Sequence, residues 1–166
     1  MEIEGKMGIM DYDLYIFDWD GTLVRAKLIN KLNEKLNPFW RRWKAASRKM
    51  KAREESAIIK ETEAFEKGEE KYSPFADFFV LLYKPKLQKY SKNTLELLKK
   101  NGKKIALFSN GARWRIKREI RHMEISKYFD AILSAQDIGV LKPNPRGLKL
   151  LARLLSVKPE RILYMG

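Results

Sequence analysis

The chain has 166 residues, with 35 Lys and Arg against 21 Asp and Glu, one His and no Cys. That length suits one domain, or one compact domain carrying an insertion, able to bury about 70% of its unfolded surface without staples. The missing cysteines exclude a disulfide framework, a Cys zinc site and a thiol nucleophile, and the longest unbroken apolar run, the six residues from Phe78 to Tyr83, is too short to span a bilayer.

The opening, Met1 to Lys6, has no apolar stretch of the kind a signal peptide needs, so a soluble cytoplasmic protein is expected. Residues 13–18 form a short, largely apolar run that predicts a strand, followed by a glycine-bearing turn at Asp18-Trp19-Asp20-Gly21-Thr22. From about 27 to 89 no strand is expected. Leu28, Leu32 and Leu36 make one amphipathic stripe, Phe39, Trp40, Trp43 and Met50 a second, and Ile58, Ile59, Thr62 and Phe65 a third. Ser73-Pro74 is a good helix opening for Phe75, Phe78, Phe79 and Leu82.

After Tyr90 the pattern alternates. Ser91 is placed to cap a helix carrying Leu95 and Leu98, which Asn101-Gly102 ends. Ile105 to Phe108 predicts a strand apolar on both faces, after which Ser109-Asn110-Gly111 turns into a basic helix with Trp114, Ile120 and Met123. A strand from Phe129 to Leu133, a helix from Arg146 to Leu155 and a last strand from Arg161 to Met165 follow. Strands apolar throughout, separated by helices, imply a parallel sheet covered on both sides. The expected fold is thus α/β: a doubly wound parallel-sheet core over 1–26 and 90–166, interrupted by an all-helical insertion over 27–89. In such sheets ligands bind beyond the carboxyl ends of the strands. The last predicted strand ends at that edge, at Gly166, so the functional polypeptide is expected to continue.

The formal net charge of +14 concentrates in two runs. Between Arg41 and Arg53 lie seven basic residues and no acidic one; between Lys99 and Arg121 lie nine, opposed by Glu119 alone. Solvated helix faces account for most of these positions, and the cleft is where the charge could gather phosphorylated ligands. His122, beside Arg118 and Arg121, reads as a solvated or lightly packed residue.

Four strand ends converge on the carboxyl edge. The first offers Asp18 and Asp20, the second Ser109-Asn110-Gly111, and the third a loop reaching Lys142-Pro143. Two carboxylates two residues apart can serve as nucleophile and as proton carrier when their environments differ. A hydroxyl and backbone N–H groups at a helix start favour an anion, and a lysine opposes the charge of a phosphoryl group in transfer. Paired carboxylates beside an anion call for a hard divalent cation, and Mg²⁺, which accepts one or two carboxylates plus phosphate oxygen, fits.

On these residues the chain resembles the haloacid dehalogenase-like superfamily, specifically its phosphatases with a helical cap inserted after the first motif. Asp18-Trp19-Asp20-Gly21-Thr22-Leu23 matches the first motif, Phe108-Ser109-Asn110-Gly111 the second and Val140-Leu141-Lys142-Pro143-Asn144-Pro145 the third; Ile162 to Gly166 looks like the strand that introduces the fourth, whose acids normally follow the glycine. The resemblance implies a Rossmann-like core and roles for single residues. Asp18 would attack phosphorus to form an aspartyl-phosphate and would also ligate Mg²⁺. Asp20 would protonate the leaving oxygen and then activate water, its backbone carbonyl binding the metal. Ser109 and the amides of Asn110 and Gly111 would hold phosphate oxygens, and Lys142 would neutralise charge around Asp18. Trp19 is bulkier than the residue usual between the aspartates, and its side chain is expected to point away from the pocket.

The expected function is a Mg²⁺-dependent phosphomonoester hydrolase acting on a small phosphorylated metabolite, with no membrane partner and with nucleic acid disfavoured but not excluded by the basic charge. Two alternatives stand beside it. One is a phosphotransferase or phosphomutase on the same scaffold; the other is a basic polyanion-binding module without catalysis, which an Asp-x-Asp pair disfavours.

Overall fold

A computed structural model describes residues 11–25, 54, 56–58, 60 and 85–166. Within them lie β1 (Leu14–Phe17), α1 (Ser91–Lys100), β2 (Lys104–Ser109), α2 (Arg113–His122), β3 (Ala131–Ser134), α3 (Ala135–Ile138), α4 (Arg146–Leu154) and β4 (Ile162–Met165), with single 3-10 turns at Ser126–Tyr128 and Pro159–Arg161. The four strands form one parallel sheet in the order β3-β2-β1-β4. The first strand thus sits at the centre, Phe17 level with Leu107 on one side and Met165 on the other.

The alternation of side chains along the strands builds two cores. Tyr15, Phe17, Ile105 and Leu107 face one way and pack with Leu95 and Leu98 of α1 and Ile116 and Ile120 of α2. Leu14, Ile16, Ala106, Phe108 and Leu133 face the other way, with Leu150 and Leu151 of α4. Both faces of β1, β2 and β3 are therefore covered and nearly every position in them is buried, as a doubly wound α/β sheet requires. Helix α4 lies so close to β2 that a Cβ on Gly147 would stand 2.3 Å from the Phe108 ring. The edge strand β4 is only partly buried along its length.

Several element ends differ from expectation. Tyr90, not Ser91, holds the N-cap of α1; the Ser91 hydroxyl donates instead to the Leu23 carbonyl at 2.9 Å, tying the helix start to the chain leaving β1. The other end follows the sequence: Gly102 at φ +68 lets its N–H reach Lys99 O and the Lys103 N–H reach Leu98 O, satisfying the last carbonyls. Helix α3 was not expected. Its four residues start because Ser134 and Asp137 form a reciprocal capping box, the Ser134 hydroxyl accepting from Gln136 N and the Asp137 carboxylate from Ser134 N. β3 begins two residues later than predicted, behind the turn at Ser126–Tyr128, and β4 one residue later, behind the turn at Pro159–Arg161.

The helical insertion expected over 27–89 lies mostly outside the described residues, as do the Leu28, Phe39 and Phe75 stripes and the Arg41 to Arg53 run. At its base the two chain segments run side by side. Val24 pairs antiparallel with Leu87, Arg25 N–H donates to Lys86 O, and Gln88 N–H donates to Leu23 O. Ile58 is buried with the Leu14 and Phe108 face of the core. Among the described residues no helix is long and apolar enough to cross a membrane.

Candidate active site

The carboxyl ends of β1, β2 and β4 and the loop between α3 and α4 meet at one edge. Asp18 follows β1, and its N–H continues the ladder to Met165 O of β4 at 2.9 Å. Its carboxylate Oδ1 accepts the Trp19 N–H at 2.7 Å and lies 2.6 Å from the Lys142 ammonium. The other oxygen has no hydrogen-bond partner among the described residues. Gly166 crowds this carboxylate from β4: a Cβ there would stand 2.7 Å from Asp18 Cβ and 2.8 Å from the Tyr164 hydroxyl.

Lys142 reaches Asp18 from a loop that the Asn110 side chain anchors. The Asn110 side-chain oxygen accepts the Lys142 backbone N–H at 2.8 Å, and the Lys142–Pro143 peptide bond is cis. The ammonium also donates to Phe108 O at 3.3 Å and to the Tyr164 hydroxyl at 3.1 Å, so two hydrogen bonds hold it beside its ion pair with Asp18. Asn110 thus has a second use beside its amide, as the anchor of the lysine loop. Tyr164 is a residue that the sequence reading missed. It lies in the middle of an apolar strand run, where nothing marks a hydroxyl as belonging to a site.

Ser109 ends β2 and is buried, its hydroxyl accepting the Gly111 N–H at 3.1 Å. The Gly111 carbonyl in turn accepts the Ser134 hydroxyl at 2.6 Å, which pins the turn to the end of β3. The turn after β1 needs Gly21, at φ +90, a backbone conformation that a Cβ disfavours. His122 is exposed at the end of α2.

Asp20 has a different cation. Arg115 grips both of its oxygens, Nη2 to Oδ2 at 2.5 Å and Nη1 to Oδ1 at 3.1 Å, while the Asp20 side chain stays 37% exposed. Arg115 also donates to Glu119, one turn on in α2, and Glu119 accepts the Trp19 indole N–H at 2.5 Å. Trp19 is fully buried, away from the carboxylates, as its position between them implies. Burial pushes the Glu119 carboxyl up, against the pull of Arg115 and of the indole. Burial works against the Arg115 charge too, but Glu119 and Asp20 outweigh it and raise its pKa, so it stays a guanidinium. Neither Arg115 nor Glu119 was singled out from the sequence. Their i,i+4 spacing, with Glu119 as the lone acid in a basic run, was the available signal.

A divalent cation at this edge would meet few side-chain donors. Among the described residues no group of three His, Cys, Asp or Glu side chains could hold one. What is available is the carboxylate of Asp18 and the backbone carbonyl of Asp20, because both side-chain oxygens of Asp20 are taken by Arg115. Two oxygen donors suit Mg²⁺, which keeps several waters and shares phosphate oxygens. Away from this edge, a surface cavity of about 460 Å³ opens at the amino end of the sheet, lined among others by Asp13, Lys103, Lys104, Lys158 and Arg161.

A family model described as haloacid dehalogenase-like hydrolase matches residues 12–166. Among curated proteins, pyrophosphatase PpaX of Bacillus cereus is 30% identical over 73 residues, 44% of this chain and 34% of that protein, so the match spans about a third of the relative's length. Among solved structures, a HAD-superfamily hydrolase from Ehrlichia chaffeensis aligns with a TM-score of 0.57 at 17% identity, covering 96% of this chain and 80% of that one. CbbY from Rhodobacter sphaeroides, solved in complex with phosphate, aligns at 0.58 and 18% identity, covering 92% and 76%. At these identities the two structures speak for the fold.

Proposed function

The chain belongs to the haloacid dehalogenase-like hydrolases, and from that premise we propose that it acts as a Mg²⁺-dependent phosphomonoester hydrolase on a small phosphorylated metabolite. The observation that carries the reading is the pairing of Asp18 with Lys142 at the carboxyl edge of the sheet, where one carboxylate oxygen is held and the other is open. A carboxylate fixed in this way can present its open oxygen to phosphorus at short range, saving the entropy of orientation. Lys142 then opposes the charge on the phosphoryl oxygens as the bond to the ester oxygen breaks.

In this reading Asp18 Oδ2 attacks phosphorus, and the ester oxygen leaves with a proton from Asp20. Water then attacks the aspartyl-phosphate, Asp20 takes a proton from it, and Asp18 is regenerated with release of phosphate. The Ser109 hydroxyl and the amides of Asn110 and Gly111, just ahead of α2, hold the phosphoryl oxygens, the Gly111 N–H turning from the Ser109 hydroxyl to the phosphate as it binds. Asp18 and the Asp20 carbonyl would hold Mg²⁺, which when bound supplies positive charge between the nucleophile and the phosphate it approaches. The name of the curated relative makes inorganic pyrophosphate one substrate to assay beside sugar phosphates.

The test is Asp18→Asn in the full-length polypeptide. It is expected to abolish Mg²⁺-dependent phosphate release from p-nitrophenyl phosphate and from pyrophosphate. Activity that survives the substitution removes Asp18 as nucleophile and the reading with it.

A further inference from the structure

Asp20 stands in the open, 37% exposed, on a turn whose side chain would otherwise rotate freely. What holds it is a chain of three buried or half-buried partners reaching back into the core. Arg115 spans both Asp20 oxygens with its two terminal nitrogens in an end-on, bidentate contact, the geometry that fixes a carboxylate in orientation as well as in place. Glu119 takes the other side of the same guanidinium and, through its second oxygen, the indole of Trp19, the residue directly before Asp20. One buried carboxylate therefore grips both the turn that carries Asp20 and the arginine that aims it.

The arrangement is a poor source of stability. A buried ion pair roughly breaks even against well-packed apolar side chains, and the Arg115 Nε is buried without a hydrogen-bond partner among the described residues, which adds a desolvation cost. What the guanidinium does obtain is a fixed position for one exposed oxygen pair at the edge where Asp18 and Lys142 meet. We propose that Arg115 is a positioning residue for Asp20, and that Glu119 with the Trp19 indole holds Arg115 in place. The inference rests on the hydrolase reading above. When Asp20 gives its proton to the leaving ester oxygen, its O–H bond breaks and a new O–H bond forms on the leaving group. The carboxylate left behind is the species that the two Arg115 N–H groups hold.

The experiment compares kcat/KM, which reports the steps through aspartyl-phosphate formation, for two monoesters in the full-length polypeptide. p-Nitrophenyl phosphate expels its leaving group without help, whereas an alkyl phosphate needs the proton. Replacing Arg115 and Glu119 together by Gln avoids a lone buried charge. That double variant is expected to lose at least about tenfold more on the alkyl ester than on the nitrophenyl ester, part of the factor general acid catalysis supplies. In an Asp20→Asn background the same pair of substitutions is expected to cost nothing further. Should the double variant not fold, Arg115→Lys, which keeps a charge facing Glu119 but cannot span both Asp20 oxygens, carries the same comparison. Equal losses on the two esters, or a further loss added to that of Asp20→Asn in a folded protein, overturn the assignment of Arg115. Activity that survives Asp18→Asn overturns the hydrolase reading and this inference together, so the two failures are told apart.

Discussion

The two ends of β1 carry the same chemical motif in different surroundings. At the amino end Asp13 accepts two hydrogen bonds from Arg161 at 2.9 Å each, with the partners 49% and 42% exposed. At the carboxyl end Asp18 meets Lys142 at 2.6 Å, 23% and 17% exposed, and the lysine is backed by Phe108 O and the Tyr164 hydroxyl. Each pair ties β1 to chain far away in sequence. Only the second is shielded from water on several sides, and shielding is what makes a fixed charge strong. The amino-end pair closes the rim of the sheet, and the carboxyl-end pair leaves one oxygen of Asp18 open beside a cation. The lesson is that a carboxylate–cation pair becomes chemistry through its burial and its spare valence.

The comparison can be broken most sharply by removing one partner of the ion pair at each end. Lys142→Ala is expected to lower kcat/KM for phosphate release by about 100-fold or more, the scale on which single preorganised charges act in transfer reactions. Asp13→Asn, at the far end of the same strand, is expected to leave kcat/KM unchanged in the same assay. An equal loss from both substitutions would erase the distinction between the two ends.

A smaller effect comes from adding one methyl group at each end. Gly166→Ala would press a Cβ against Asp18 and the Tyr164 hydroxyl, and is expected to cost about 1–3 kcal/mol through overpacking, with kcat/KM falling alongside. Gly102→Ala, at the amino end, meets nothing within 4 Å and suffers only its φ of +68, a strain of about 1–2 kcal/mol. Urea midpoints should fall for both variants, and kcat/KM only for the first.

The smallest effect is a pH dependence. The hydrogen bond from Arg161, aided by its charge, lowers the Asp13 pKa below the usual aspartate value despite some desolvation. A depressed carboxyl pKa gives stability that is present above the unfolded pKa and lost as pH falls through the folded one. The difference in urea midpoint between the wild-type chain and Asp13→Asn should therefore be seen at neutral pH, shrink below about pH 4, and weaken with added salt because both partners face water. A difference that grew on acidification would place the contact elsewhere.

Much of the frame was legible along the chain. The apolar runs at 14–17, 105–108 and 131–133 announce strands buried on both faces, because a parallel sheet leaves no polar side to mark, and the run at 162–165 announces a fourth, which stands partly buried at the edge. Gly102 marks the end of α1, since only glycine takes the left-handed position there without cost. Ser91 misled because its hydroxyl finds the Leu23 carbonyl, a partner that folding brings from 68 residues away. Helix α3 was hidden because its capping box lies directly on a strand end, where Ser134 reads as the last strand residue.

Along the chain alone one reads the succession of the four strands and the three longer helices, the positions of Asp18, Asp20, Ser109 and Lys142 at strand ends or loops, and the turn chemistry between them. These follow from periodicity and local backbone preference, which act over a few residues. Which cation serves Asp20, and which acid holds that cation, was left to packing. Arg115 lies 95 residues from Asp20, and the Trp19 indole lies 100 from Glu119; no local rule selects such pairs. They are chosen when the sheet closes, because a charge taken out of water must find its opposite among whatever side chains packing has brought within reach.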